Sequence, residues 1–115
     1  MKLRSDSFKD GDYLGPDHVL SADYGFGCRG GNRSPHLAWE GAPAGALSVR
    51  TDFGKPGYGG PCPPEGDHPH RYLFTVHAVS MDALPVTADT SAAVVGFHLN
   101  FNTLAKASLM GLFKR

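Results

Sequence analysis

The chain has 115 residues, enough for one domain and not two. Hydrophobic residues make up 41%, which excludes a disordered chain, and Lys+Arg and Asp+Glu both number 11. Zero net charge supplies no long-range attraction to nucleic acid or an anionic membrane, and little repulsion between copies.

From the start to Gly27, short apolar pieces are broken by Asp10-Gly11-Asp12, Gly15-Pro16-Asp17 and Gly25-Phe26-Gly27. Such punctuation predicts short strands and loops, not helices. The N-terminus has no apolar h-region after Met1-Lys2-Leu3-Arg4, so the expected compartment is the cytoplasm. There Cys28 and Cys62 are expected to be reduced, pairing only if the protein is exported or oxidised. A short strand is expected around Leu37–Trp39, with Trp39 as a core anchor, and a strand start at Ala46–Val49. From Gly54 to Pro69, ten of sixteen residues are Gly or Pro. That composition excludes a helix and predicts a stiff, structured loop held against something.

Arg71–Val79 is the clearest predicted strand. Tyr72, Phe74, Val76 and Ala78 share one face; Leu73, Thr75, His77 and Val79 share the other. Two apolar faces predict a central strand. A helix is expected to start at Asp89, Thr90 or Ser91, each able to cap it. Its stripe Val94, Phe97, Phe101, Leu104 is expected to pack on the sheet, with Gly96 a weak point. Ala107–Arg115 fits either a continued helix or a returning strand.

Few residues here suggest chemistry. His68 and His70 sit two apart, and with Cys62 they compose a metal-protein or enzyme reading, but a third ligand at suitable spacing is missing. Nothing cationic flanks Cys62 to generate a thiolate, and Ser34 and Ser48 lack a nucleophile motif. Gly30-Gly31-Asn32 lacks the Lys-Ser/Thr of a phosphate loop. The best binding candidate is the Gly/Pro loop running into His70 and Tyr72. Its prolines pre-set its shape, and both side chains can donate to an anion.

Four blocks carry a further signal. They are Phe8-Lys9-Asp10-Gly11-Asp12; Cys28 through Trp39 with Gly41-Ala42-Pro43-Ala44-Gly45; Asp52 through Pro64 with His70-Arg71-Tyr72; and Leu104 through Leu112. Together they resemble the phosphatidylethanolamine-binding protein family, in particular its bacterial Raf-kinase-inhibitor-like branch. The resemblance implies a mainly β fold, a Greek-key β-sandwich with one or two C-terminal helices, in a single domain over residues 1–115. It implies a pocket for a small anion, phosphate or a phospholipid head group, with Gly60, Pro64, His70 and Tyr72 on one wall. It also implies no catalysis, no cofactor or metal, and a role in modulating a partner kinase or protease.

The resemblance has a gap near residues 46–51. The family carries an Asp-Pro-Asp-x-Pro motif and a His-Trp strand between the Gly45 and Asp52 positions, and neither occurs in this chain. The fold is therefore expected to be a truncated sandwich and the pocket to lack its opposite wall, so binding should be weak. A paired or swapped homodimer would cover the strands left open. The alternative function is a structural remnant without a ligand, folding through self-association.

Overall fold

The computed structural model describes residues 1–39 and 49–115. Strands dominate, as expected, in two antiparallel pairs. β1 (Leu3–Arg4) pairs with β2 (Ala38–Trp39), and β3 (His70–Val79) pairs with β4 (Thr103–Phe113). Between β1 and β2 the chain makes two single-turn helices, Pro16–His18 and Ala22–Tyr24. Proline pre-sets the entry of the first. Gly25, at φ 76°, ends the second in a left-handed conformation that costs other residues energy. α1 (Ala92–Asn102) links β3 to β4, so the C-terminal segment returns as a strand. The expected strand start at Ala46–Val49 lies mostly outside the described residues; Val49 is in no strand, and Arg50 makes only an isolated bridge to Pro56.

The β3–β4 hairpin is the largest element. Its register runs from His70 opposite Phe113 to Val79 opposite Thr103, with a bulge at Ala78/Val79. The outer edge of β4 is covered by the N-terminal segment: Gly11 N–H donates to Met110 O, Leu14 N–H to Leu112 O, and Leu112 N–H to Asp12 O, each at 2.8 Å. Gly111 makes room here, since a side chain would strike Leu14 at 2.6 Å. The other edge of β3 pairs with no described strand. Among the described residues β3 is thus an edge strand, not the central strand its two apolar faces predicted. Its Tyr72–Phe74 face meets the core, while Leu73 on the other face is 69% exposed.

The helix begins where expected: Ser91 caps it, its hydroxyl accepting from Val94 N–H at 3.4 Å. The face presented to the hairpin differs from the prediction. Val95, His98, Leu99 and Asn102 are half-buried, whereas Phe97, Phe101 and Leu104 are 60–74% exposed. Polar ties set this rotation. Asn102 O accepts from Ser80 N–H at 2.9 Å, and the Thr103 hydroxyl bonds His77 Nδ1 at 3.0 Å. α1 is apolar around most of its circumference, so the 3.6-residue period alone could not select the buried side.

Among the described residues the core is two small clusters. Phe8, Leu14 and Leu109 gather Leu3, Leu37, Tyr72 and Phe74; Val19, Leu20 and Cys28 gather Tyr24, Cys62 and Phe113. Trp39 is not the anchor expected. It lies at the end of a two-residue strand and is 36% exposed.

The Gly/Pro loop is held, as expected, and by more than its prolines. Phe53 lies between Tyr24 (ring centroids 4.8 Å) and Phe26 (5.8 Å), and Lys55 caps the Tyr24 ring at 4.4 Å. Leu20 N–H donates to Pro61 O at 3.1 Å, and Arg115 Nε–H to Pro63 O at 2.7 Å. Cys28 and Cys62 are joined by a disulfide, correcting the expectation of two reduced thiols. The loop docks on the Cys28 segment and brings together sulfurs that are 34 residues apart in sequence.

Because that link closes a long loop, its loss should destabilise the chain by about 3–4 kcal/mol. Urea unfolding with and without dithiothreitol, alongside Cys62→Ser, measures the change. Superimposable curves would show that the link constrains nothing.

Candidate functional site

His70 and Tyr72 alternate along β3 and so project from one face, both half-buried. His70 is oriented by its neighbour: Nε2–H donates to Asp67 Oδ2 at 3.0 Å. That bond fixes the proton on Nε2 and leaves Nδ1 for another group. The His68 ring lies 5.5 Å away, centroid to centroid. Cys62 is bonded to Cys28 and so cannot join these histidines as a thiolate ligand. Among the described residues no group of three or more His, Cys, Asp or Glu side chains is arranged for a metal ion.

Gly60 plays a different part from His70. A side chain there would collide with the His18 carbonyl and approach Leu20 N at 2.9 Å, so only glycine allows this backbone approach. Its N–H is already used, donating to Asn32 Oδ1 at 2.8 Å. Asn32 also donates from Nδ2 to Tyr58 O at 3.1 Å, clasping the loop at two points. Pro64 is exposed and starts the turn in which Asp67 N–H donates to Pro64 O at 3.4 Å. Of the four residues expected on one wall, His70 and Tyr72 thus offer side chains, while Gly60 and Pro64 shape the loop behind them.

Tyr58 was not anticipated from the sequence. Its hydroxyl donates to His18 O at 2.8 Å. Burial, and secondarily the nearby Tyr72 phenol, pushes its pKa up to about 12. Burial also raises the Tyr72 pKa. Both phenols therefore stay protonated at neutral pH and act as donors. Tyr58 gives its proton to the backbone, whereas the Tyr72 hydroxyl has no such partner among the described residues.

A second polar region, also unanticipated, includes His18. Ser7, Asp17, His18, Arg33, Ser34 and His36 line a cleft of about 320 Å³. Backbone bonds build it: Asn32 N–H donates to Val19 O and Arg33 N–H to Asp17 O, both at 2.8 Å. His18 Nδ1–H donates to Arg33 O at 2.7 Å, and His36 Nδ1 accepts from Asp6 N–H at 3.0 Å. Asn32 stands at φ 50°, a left-handed conformation that asparagine tolerates, and Gly30-Gly31-Asn32 was the only trace of this in the sequence.

Fold and site together describe a small, mainly β protein with a stiff loop feeding hydrogen-bond donors onto one strand face. Residues 43–114 match the family model for phosphatidylethanolamine-binding protein. The UPF0098 protein YbhB of Escherichia coli K12 is 35% identical, with 98% of this chain and 99% of that protein covered. The UPF0098 protein YbcL of the same strain is 32% identical over 98% of this chain and 87% of YbcL. The crystal structure of E. coli YbcL, described as a new member of the mammalian PEBP family, superposes with a TM-score of 0.86 at 31% identity, covering 99% of this chain and 98% of that one. The chain belongs to the phosphatidylethanolamine-binding protein family. The YbhB alignment extends over 161 positions, against 115 residues in this chain.

The Asn32 clasp predicts a measurable loss. Asn32→Ala leaves the Gly60 N–H and Tyr58 carbonyl without their partner and should cost about 1–3 kcal/mol in chemical unfolding. A change within error would mean that water replaces the amide at no cost. The Tyr58 phenol makes a second prediction. Its folded pKa lies above the ordinary value of 10.0, so stability is whole below pH 10 and falls as the pH rises toward 12. Tyr58→Phe, though weaker at neutral pH, should lose less between pH 10 and 12; equal alkaline slopes in thermal melts would refute this.

Proposed function

We propose that this protein is a non-enzymatic binder of small anions, phosphate or a phospholipid head group, acting through the His70–Tyr72 face of β3. The observation that carries this reading is the pairing of an imidazole held by Asp67 with a protonated phenol two residues on. The Tyr72 hydroxyl is a donor, and His70, whose Nε2–H is taken by Asp67, adds a second from Nδ1 in its imidazolium form, beside a loop whose prolines reduce the entropy lost on binding. Family membership supports the same chemistry, since the matching model is that of phosphatidylethanolamine-binding protein. A non-catalytic role fits a chain whose two cysteine sulfurs are bonded to each other. Weak affinity is part of the proposal, because the Asp-Pro-Asp-x-Pro and His-Trp residues expected opposite this face do not occur in the sequence. Modulation of a partner kinase or protease is proposed on the family resemblance alone. On location, the cytoplasmic expectation competes with an oxidising compartment, which the disulfide favours.

Two-dimensional NMR with inorganic phosphate and with phosphoethanolamine tests the site. Millimolar ligand should shift His70 and Tyr72 resonances. Removing one charge-assisted bond with His70→Ala should weaken binding by about tenfold or more, while Arg33→Ala in the neighbouring cleft should leave it intact. Unmoved His70 and Tyr72 signals would sink the reading, and loss of binding only in Arg33→Ala would move the site to the cleft.

A further inference from the structure

A cavity is shared by the two apolar clusters of the core. It measures about 320 Å³, and its lining includes Leu14 from the first cluster and Val19, Cys28 and Phe113 from the second. Leu14, Val19 and Cys28 are buried. Protein interiors normally fill such space, because wall atoms without neighbours forfeit dispersion contacts. An apolar guest would restore those contacts and leave water at the same time, at about fourfold in affinity per buried CH₂. None of the lining residues belongs to the His70–Tyr72 face.

The cavity also carries positive charge. Arg29 and Arg115 line it, and no Asp or Glu among the described residues does. Arg115 is held in place. Its Nε–H donates to Pro63 O at 2.7 Å and an Nη2–H to Phe26 O at 3.4 Å, and its side chain is only 20% exposed. The Nη1 group makes neither bond. It lies against Gly27, where a Cβ would meet it at 3.0 Å, and Gly27 is itself part of the cavity wall. Glu65 shows which group the Nη1 edge accepts. Its carboxylate stands 3.7 Å away on an 82% exposed side chain, a loose surface pair that a better-placed carboxylate displaces at little cost.

We infer that this cavity is a second binding site, separate from the His70–Tyr72 face, for a small carboxylate with a short apolar body. The body takes the space beside Leu14, Val19 and Phe113. The carboxylate meets the Arg115 guanidinium, whose planar fork matches it. Size sets the upper limit. The volume of about 320 Å³ is at the lower end of small-molecule sites, which span about 300–1,000 Å³. A single short chain or one ring fits such a space, and a two-chain lipid does not.

NMR of the full chain with its disulfide intact tests the inference, using sodium hexanoate against acetate, 1-hexanol and inorganic phosphate. Hexanoate should shift Leu14, Val19 and Phe113 resonances. Acetate has the charge without the body, and 1-hexanol the body without the charge. Each should bind more weakly than hexanoate by about tenfold or more. Arg115→Gln should weaken hexanoate by about tenfold or more as well. Phosphate should leave these three residues unmoved, whatever it does at His70 and Tyr72, so the two sites stand or fall separately. The inference is overturned if hexanoate moves none of the three residues, if 1-hexanol or phosphate binds there as tightly as hexanoate, or if Arg115→Gln melts like the wild type yet binds hexanoate unchanged. Should Arg115→Gln fail to fold, the ligand series alone decides.

Discussion

Three lengths of backbone that belong to no strand lie side by side at the middle of this molecule, and the rest is hung from them. His18–Leu20 runs between Gly30–Arg33 on one side and Tyr58–Pro61 on the other, with backbone bonds across both gaps. The approach depends on glycines. A side chain at Gly30 would meet Pro16 O at 2.6 Å, and one at Gly60 would strike the His18 carbonyl. A missing Cβ is a weak stabiliser in itself, since glycine costs entropy on folding. Here it allows bonds that no larger residue would permit, and the Cys28–Cys62 link and the Asn32 clasp hold the same two gaps closed.

From that knot the chain leaves in a set direction. Pro63 is fixed by Arg115, the Pro64–Asp67 turn follows, and Asp67 meets His70 as β3 starts. The geometry of the proposed binding face is therefore inherited from contacts made well away from it. Tyr58 joins the two regions. Its carbonyl is gripped by Asn32, its hydroxyl bonds His18, and its phenol lies near enough to Tyr72 to influence it. Rigid support of this kind is what a small polar site needs, because two donors bind an anion only if neither must be reorganised first.

Sequence reasoning succeeded where a feature depends on near neighbours. Alternation located β3, Ser91 marked the start of α1, and proline density identified a held loop. The motif blocks placed the chain in its family. It failed where distant residues decide. Cys28 and Cys62 pair because the loop docks, which a spacing of 34 does not reveal. Trp39 was read as an anchor from its size, yet its strand is too short to carry it inward. The Val94–Phe101 stripe has the right period, but His77 and Ser80 hold the opposite side of the helix through Thr103 and Asn102. His18, Arg33 and His36 were passed over because nothing in their spacing announces that a backbone ladder gathers them.

The misplacement of β3 has a physical lesson of its own. A strand with two apolar faces is suited to an environment covered on both sides, and this one occupies an edge with Leu73 in solvent. The YbhB alignment runs over 161 positions, more than the 115 residues of this chain. Such a strand exposes apolar area and open backbone together, and any cover must satisfy both. Leu73 and His70 point to opposite faces of β3, because their positions differ by an odd number. Material laid over the Leu73 face and along the open edge would therefore leave the His70–Tyr72 face clear. Cover on the Leu73 side and binding at His70 and Tyr72 are then compatible in one molecule.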